Sequence, residues 1–285
     1  RKGQWSVGNT MAGMSISEME EMARKCRIEI CKMTHRAQAG HPGGSLSEID
    51  ILCGLYGHRL RAKPGDPDWE DRDRFILSKG HASPGMYAVL AEMGFISHED
   101  LKSYRVKGGV CQGHVDMKWC PGVDFSAGSL GMGLSFGMGC AVAAKLDGSS
   151  RNAYVMVGDG EIQEGSVWEA AMAATHHELG NLKLFVDCNG IQNDDFCEAQ
   201  MRMFDIPAKW NAFGWAVKVI DGHDMTSIVE AIDWMDSIQD KPAVVIANTI
   251  KGKGVSFMEN NPAFHGAAPS DEQLAQALSE LGVEA

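Results

Sequence analysis

The run Tyr154-Val155-Met156-Val157-Gly158-Asp159-Gly160 reads as a strand that ends in two glycines flanking an acid, and a helix is expected to begin near Ser166. About thirty residues on, a second apolar run closes with Asp187-Cys188-Asn189-Gly190-Ile191. Glycines at such a turn let backbone approach a ligand, and a helix N-terminus offers free N–H groups to phosphate oxygens. An aspartate there repels phosphate unless a divalent cation lies between them. Adjacent parallel strands would set Asp159 beside Asn189, one carboxylate and one neutral oxygen. With a backbone carbonyl and two phosphate oxygens they make a hard, all-oxygen site suited to Mg²⁺, or to Ca²⁺ in its place. Taken alone, Gly158-Asp159-Gly160 is no more than a turn after a strand.

Histidine supplies the second pattern. It recurs beside glycine in Gly40-His41-Pro42-Gly43-Gly44, Gly80-His81, Gly113-His114, Gly222-His223 and His265-Gly266. Each taken singly is a turn or packing residue. As a set they suggest a site collected from distant loops, where imidazoles move protons and bond an oxygen-rich substrate or a diphosphate. The pair His176-His177 falls at an expected helix end, which suits dipole compensation rather than catalysis.

Other chemistries lack their signatures. Gly131-x-Gly133-x-x-x-Gly137 misses the dinucleotide fingerprint by one residue and follows no strand, and no GxxxxGK[ST] phosphate loop occurs. The eight cysteines show no CxxC pair and no spacing with histidine that would hold zinc, so they read as reduced, small apolar residues of a cytoplasmic protein. The N-terminal Arg1-Lys2-Gly3-Gln4-Trp5 has no apolar signal character, and no run nears the ~18 apolar residues of a membrane span. A balance of 26 Lys+Arg against 38 Asp+Glu, net −12, argues against nucleic acid or an anionic membrane as partner.

The elements that must position these groups follow from periodicity. Four runs, Ala153–Val157, Leu182–Asp187, Ala216–Ile220 and Ala243–Thr249, are apolar through both faces, as strands of a covered parallel sheet are. A helix opens at a Ser15-x-x-Glu18 capping box and buries Met19, Met22, Ala23, Cys26, Ile30 and Met33. Further helices are expected at 45–59, 81–94, 97–105, 130–147, 166–179, 225–239 and 271–281, with Ser97, Asp224 and Ser270 as N-caps. The alternation predicts a doubly wound α/β fold, a mainly parallel sheet with helices on both faces, in one domain over 1–285.

These motifs, in this order, resemble the transketolases over about residues 15 to 280. The resemblance rests on Gly158-Asp159-Gly160-Glu161-Ile162-Gln163-Glu164-Gly165 with Asn189, on Ala39-Gly40-His41-Pro42-Gly43-Gly44 and on Leu77-Ser78-Lys79-Gly80-His81-Ala82. Gly113-His114, Gly128-Ser129-Leu130-Gly131, Lys251-Gly252-Lys253-Gly254 and Phe264-His265-Gly266 complete it. It implies thiamine diphosphate as cofactor, with Asp159, Asn189 and the backbone oxygen of Ile191 on its metal. His81, Gly160 and His265 would contact the diphosphate, within a cofactor turn that includes Gly158 and Glu161. Gly128 and Leu130 would face the aminopyrimidine, and Ile191 the thiazolium. His41, His114 and His265 would handle hydroxyl protons, and Glu164 would lie at the interface between cofactor sites. Ser129, Val115 and Cys188 depart from the family's usual proline, proline and acid.

The chain is less than half the length of a full transketolase, whose second domain carries the glutamate that activates the cofactor and most groups that hold substrate phosphate. The resemblance therefore implies the N-terminal subunit of a split enzyme, paired with a C-terminal subunit in an α2β2 assembly. A close of the chain at Ala285 after a short helix is read as favouring a natural subunit over a fragment. The expected reaction moves a two-carbon ketol unit from a ketose, expected to be phosphorylated, to an aldose. The alternatives are a non-catalytic cofactor-binding module, a nicotinamide-dependent dehydrogenase, and a subunit of a deoxyxylulose-phosphate synthase or keto-acid dehydrogenase.

Overall fold

Short apolar strands with no alternation can bury both faces only between two layers of helices, and that is how they assemble. The computed structural model describes residues 13–283; Arg1–Trp5 and Ala285 lie outside the described residues. Five strands form one parallel sheet in the order β1-β2-β3-β5-β4. They are β1 Arg74–Leu77, β2 Ala153–Gly158, β3 Leu182–Cys188, β4 Ala216–Asp221 and β5 Ala243–Asn248. The helices are α1 Ile16–Ala37, α2 Pro42–His58, α3 Ser83–Glu92, α4 Met132–Leu146, α5 Gly165–His176, α6 Cys197–Gln200, α7 Ile206–Ala212, α8 Met225–Ser237 and α9 Asp271–Glu280.

Successive strand residues point to opposite faces and so feed two cores. Tyr154, Met156, Phe185 and Val245 pack among residues of α1, α2, α3 and α8. Val155, Val157, Leu184, Val186 and Val244 pack among residues of α4, α5 and α7. The doubly wound fold read from the sequence is the observed one. β4 departs from the expectation of burial on both faces: it is one of the two edge strands, and its Val219 is 49% exposed.

The local signals also hold. Ser15 and Glu18 close the capping box of α1, and its methionine stripe is buried. Asp224 and Ser270 cap α8 and α9 through their side chains. α2 starts at Pro42 rather than 45, because proline suits a first helical turn and Gly43 must be bare: a Cβ there would lie 2.8 Å from Phe264 O. The stretch 97–105 yields only a 3₁₀ turn, Asp100–Ser103, tied by reciprocal Ser97–Asp100 bonds. Sequence reading missed β1, whose three apolar residues follow a charged run, and the short helices α6 and α7. The glycine pattern that resembles a dinucleotide loop is a packing device, since Gly133 and Gly137 seat α4 against Ser78 and Val155. Among the described residues all cysteines are free, and no helix is long and apolar enough to cross a membrane.

Candidate active site

Parallel strands open all their C-terminal ends on one edge of the sheet, so the turns after β1, β2, β3 and β5 meet there. The turn after β2 is set by register. Gly158 pairs with Asp187, Asp159 N–H donates to Asp187 O, and the Asp159 carboxylate accepts from Gly190 N–H at 2.7 Å and Gly160 N–H at 2.9 Å. Asp159 is buried, and that burial, with Asp187 nearby, pushes its carboxyl above the usual range. Asn189 Oδ1 accepts from Ile191 N–H at 3.1 Å, while its Nδ2 donates to Asp187 Oδ2 and Ser47 Oγ, both at 3.2 Å.

A cation already bridges this corner. Lys251 Nζ, on the loop after β5, donates to Ile191 O at 2.8 Å and contacts His265 Nδ1 at 2.5 Å. Burial and the Lys79 charge push Lys251 down to about 8. An acid, an amide oxygen and a carbonyl that already attracts an ammonium form a hard oxygen donor set. The residues present therefore fit a small divalent cation.

Four histidines line the cleft above. The His41 ring lies 5.1 Å from His81, 6.1 Å from His114 and 5.4 Å from His265, centroid to centroid. His81 and His265 are 5.2 Å apart. All four imidazoles are held below their ordinary value by burial first. His114 and Arg105 add to it at His41, which falls to about 4, and Lys251 adds to it at His265, which falls to about 3. They are thus neutral at physiological pH, able both to accept and to donate a proton.

Beneath the cleft lies a buried ion cluster that sequence reading missed. Lys79 Nζ contacts Asp187 Oδ2 and lies 3.0 Å from Glu48 Oε2, while donating to Gly44 O at 2.9 Å. Ser47 and Thr249 hydroxyls also donate to Asp187. Burial raises Asp187, but Lys79 and these hydroxyls outweigh it and hold the acid ionised. Glu48, with less help, is pushed up to about 8. Lys79 and Lys251 both stand in glycine-rich motifs, but a lysine next to glycine carries no periodic signal of burial.

The family model for the transketolase thiamine diphosphate binding domain matches residues 18–285. This chain belongs to the transketolase family. It is 40% identical over 245 residues to a 6-deoxy-6-sulfo-D-fructose transketolase subunit of Clostridium sp. MSTE9, covering 86% of this chain and 89% of that one. It is 38% identical over 268 residues to one subunit of the apulose-4-phosphate transketolase of Phocaeicola vulgatus, covering 94% and 95%. The solved transketolase of Campylobacter jejuni superposes with a TM-score of 0.90 at 32% identity; 95% of this chain aligns, over 44% of that chain.

The transketolase chain distributes its sequence-nominated residues unevenly. His41, His81, His114 and His265 converge, and Asp159, Gly160, Asn189 and Ile191 gather beside them. His223 goes elsewhere, bonding Asp50 at 2.7 Å and accepting Ile250 N–H at 2.8 Å. Glu161 turns inward, accepting from Ser78 Oγ at 2.5 Å, Gly131 N–H at 2.8 Å and Gly158 N–H at 3.1 Å. Gly128 and Leu130 stand on an exposed loop entering α4, and Glu164 is exposed at the N-cap of α5, against Gly131. Val115 explains its own departure from proline: its N–H donates to Gly80 O at 3.3 Å, a bond proline lacks.

Proposed function

We propose that this chain is the N-terminal subunit of a two-subunit transketolase, transferring a ketol unit from a ketose to an aldose with thiamine diphosphate. The observation that carries the reading is the meeting, on one sheet edge, of an acid–amide–carbonyl oxygen set with four neutral imidazoles. Asp159, Asn189 and the Ile191 carbonyl would hold Mg²⁺, with Ca²⁺ able to replace it, and His81, Gly160 and His265 the cofactor diphosphate. Gly158 closes the same turn, and Glu161 holds that turn from beneath. Gly128 and Leu130 would meet the aminopyrimidine.

When bound, thiamine diphosphate supplies a nucleophilic carbon and a sink for the electrons of the breaking carbon–carbon bond. The chain binds the diphosphate end and orients the sugar. His41 and His114 take and return hydroxyl protons, typically worth about 10²–10⁴-fold in rate. His265, its Nδ1 turned to Lys251, presents Nε2 to the cleft as donor.

The exposed Glu164 and the exposed apolar side chains Leu130, Met132 and Phe136 beside it support a partner subunit covering this edge, in an α2β2 assembly. Residues 1–285 act as one cofactor-binding domain in this reading, in the cytoplasm. The test is reconstitution. The purified chain with thiamine diphosphate and Mg²⁺ gives no ketol transfer, and addition of the C-terminal subunit restores it; robust turnover by the chain alone would overturn the split-site reading.

A further inference from the structure

His223 shares the glycine-flanked pattern of the cleft histidines but is drawn into a separate buried network. Asp50 on α2 accepts from both Nη atoms of Arg27 on α1, at 3.0 and 2.5 Å. His223 Nδ1 lies 2.7 Å from Asp50 Oδ2, and its Nε2 accepts Ile250 N–H at 2.8 Å. A backbone donor aimed at Nε2 leaves that nitrogen without a proton, so Nδ1–H donates to Asp50 and the tautomer is fixed. Asp50 already meets a guanidinium fork with both its oxygens, so its charge has a partner without the histidine. What the imidazole alone supplies is the acceptor for Ile250.

The same network holds both ends of the loop that carries Lys251. Arg27 Nε, the donor that Asp50 leaves over, bonds Lys253 O at 3.1 Å. Residue 250 is thus held by its N–H and residue 253 by its carbonyl, and Lys251 between them reaches Ile191 O at 2.8 Å and His265 Nδ1 at 2.5 Å. The turn at these holds is tight. Gly252 has φ +82°, and a Cβ there would lie 2.3 Å from Met258 O. Gly254 has φ +89°, and its Cβ would lie 3.1 Å from Arg27 Cδ. A side chain aimed from so short a loop goes where the two holds send it.

We propose that His223 is a positioning residue for Lys251: as acceptor for Ile250 N–H, braced by the Asp50–Arg27 pair, it sets where the loop delivers the Lys251 ammonium against the Ile191 carbonyl and His265. Residues behind the contacting groups of a site commonly fix their aim in this way. The consequence for the cofactor rests on the ketol-transfer reading, whereas the placement of Lys251 does not.

The test uses the reconstituted two-subunit complex with His223→Gln and His223→Asn. A Gln amide oxygen stands where Nε2 stood and keeps an acceptor for Ile250. An Asn amide stands where Nδ1 stood; it keeps a donor for Asp50 and falls short of Ile250. A histidine that served only Asp50 would tolerate Asn better than Gln, and a loop-positioning histidine the reverse. Acylation by acetic anhydride, without cofactor or metal, is followed lysine by lysine in peptide mass spectrometry. Lys251 is expected to react at least fivefold faster than wild type in His223→Asn and within twofold of it in His223→Gln. Lys183, fully buried near the start of β3, keeps its wild-type rate in both. A Lys251 rate within twofold of wild type in His223→Asn, an equal or larger gain in His223→Gln, or a parallel gain at Lys183 overturns the positioning role. Calorimetry with thiamine diphosphate and Mg²⁺ is expected to show binding at least fivefold weaker in His223→Asn and within twofold in His223→Gln; equal binding in all three proteins overturns its bearing on the site. If wild type binds no cofactor, the functional reading fails while the acylation rates still decide the placement.

Discussion

Asn189 Nδ2 donates to Asp187 Oδ2 at 3.2 Å, so a fully buried acid two residues upstream decides which end of the Asn189 amide faces the cleft. Asp187 in turn is fixed by Lys79, Ser47 and Thr249. The side chain that orients the amide oxygen is thus itself over-determined, which is how a second layer of residues sharpens a metal site.

Replacing Asp187 by Asn presents a second amide to Asn189 and leaves Lys79 with Glu48 as its one carboxylate partner, beside the Gly44 carbonyl. Titration calorimetry of the two-subunit complex is expected to show at least tenfold weaker binding of Mg²⁺–thiamine diphosphate. Thr249→Val removes one donor to Asp187 without touching Asn189, and costs about 1.5–3 kcal/mol of stability in urea titrations, as loss of a hydrogen bond to a buried charge does. A folded Asp187→Asn complex with wild-type affinity contradicts the orienting role.

Lys251 bridges the Ile191 carbonyl and His265, and carries its charge into a nearly closed corner. Lys251→Met keeps the length and removes the ammonium. The Mg²⁺ concentration giving half-maximal cofactor retention is expected to change severalfold, because the carbonyl and the imidazole both lose their donor. Equilibrium dialysis against graded Mg²⁺ reads this directly, and an unchanged midpoint counts against the bridge.

The imidazole cluster makes acid costly. His41 and His265 sit at about 4 and 3, against an unfolded value near 6.5. Between those values the unfolded chain binds more protons than the folded one, so stability rises with pH across the window and is lost as pH falls from about 6.5 towards 4 for His41 and towards 3 for His265. Urea midpoints at pH 4.5, 5.5, 6.5 and 7.5 are expected to climb in that order up to neutrality. In His41→Gln the slope is shallower; an identical slope removes His41 from the account.

Gly133 has no room for a side chain, since a Cβ would overlap Ser78, whose hydroxyl accepts the Gly133 N–H at 3.0 Å. Gly133→Ala is expected to lower stability by about 1–3 kcal/mol, measured by thermal or urea unfolding. Gly139→Ala on the same helix meets nothing within 4 Å and is expected to raise stability by about 0.5–1 kcal/mol, so the two variants move in opposite directions.

Much of the sheet was legible because buried parallel strands read as unbroken apolar runs, and α1, α8 and α9 because their caps are side-chain chemistry printed in the chain. β1 was not, as Phe75, Ile76 and Leu77 are too few to stand out after Asp71-Arg72-Asp73-Arg74. The glycine-flanked histidines pointed to the cleft, yet His223 shares the pattern and belongs to an Asp50 pair, because adjacency to glycine encodes a turn and not its destination. Lys79, Glu48 and Asp187 were invisible as a cluster: burial of opposite charges depends on three separate elements meeting, which no local window records.

Glu161 touches Ser78 after β1, Gly158 at the end of β2 and Gly131 at the mouth of α4, all through one carboxylate. Three chain segments far apart in sequence are thereby riveted into a plate. An incoming molecule that meets this side of the cleft therefore meets a wall in which none of the three segments shifts without the other two.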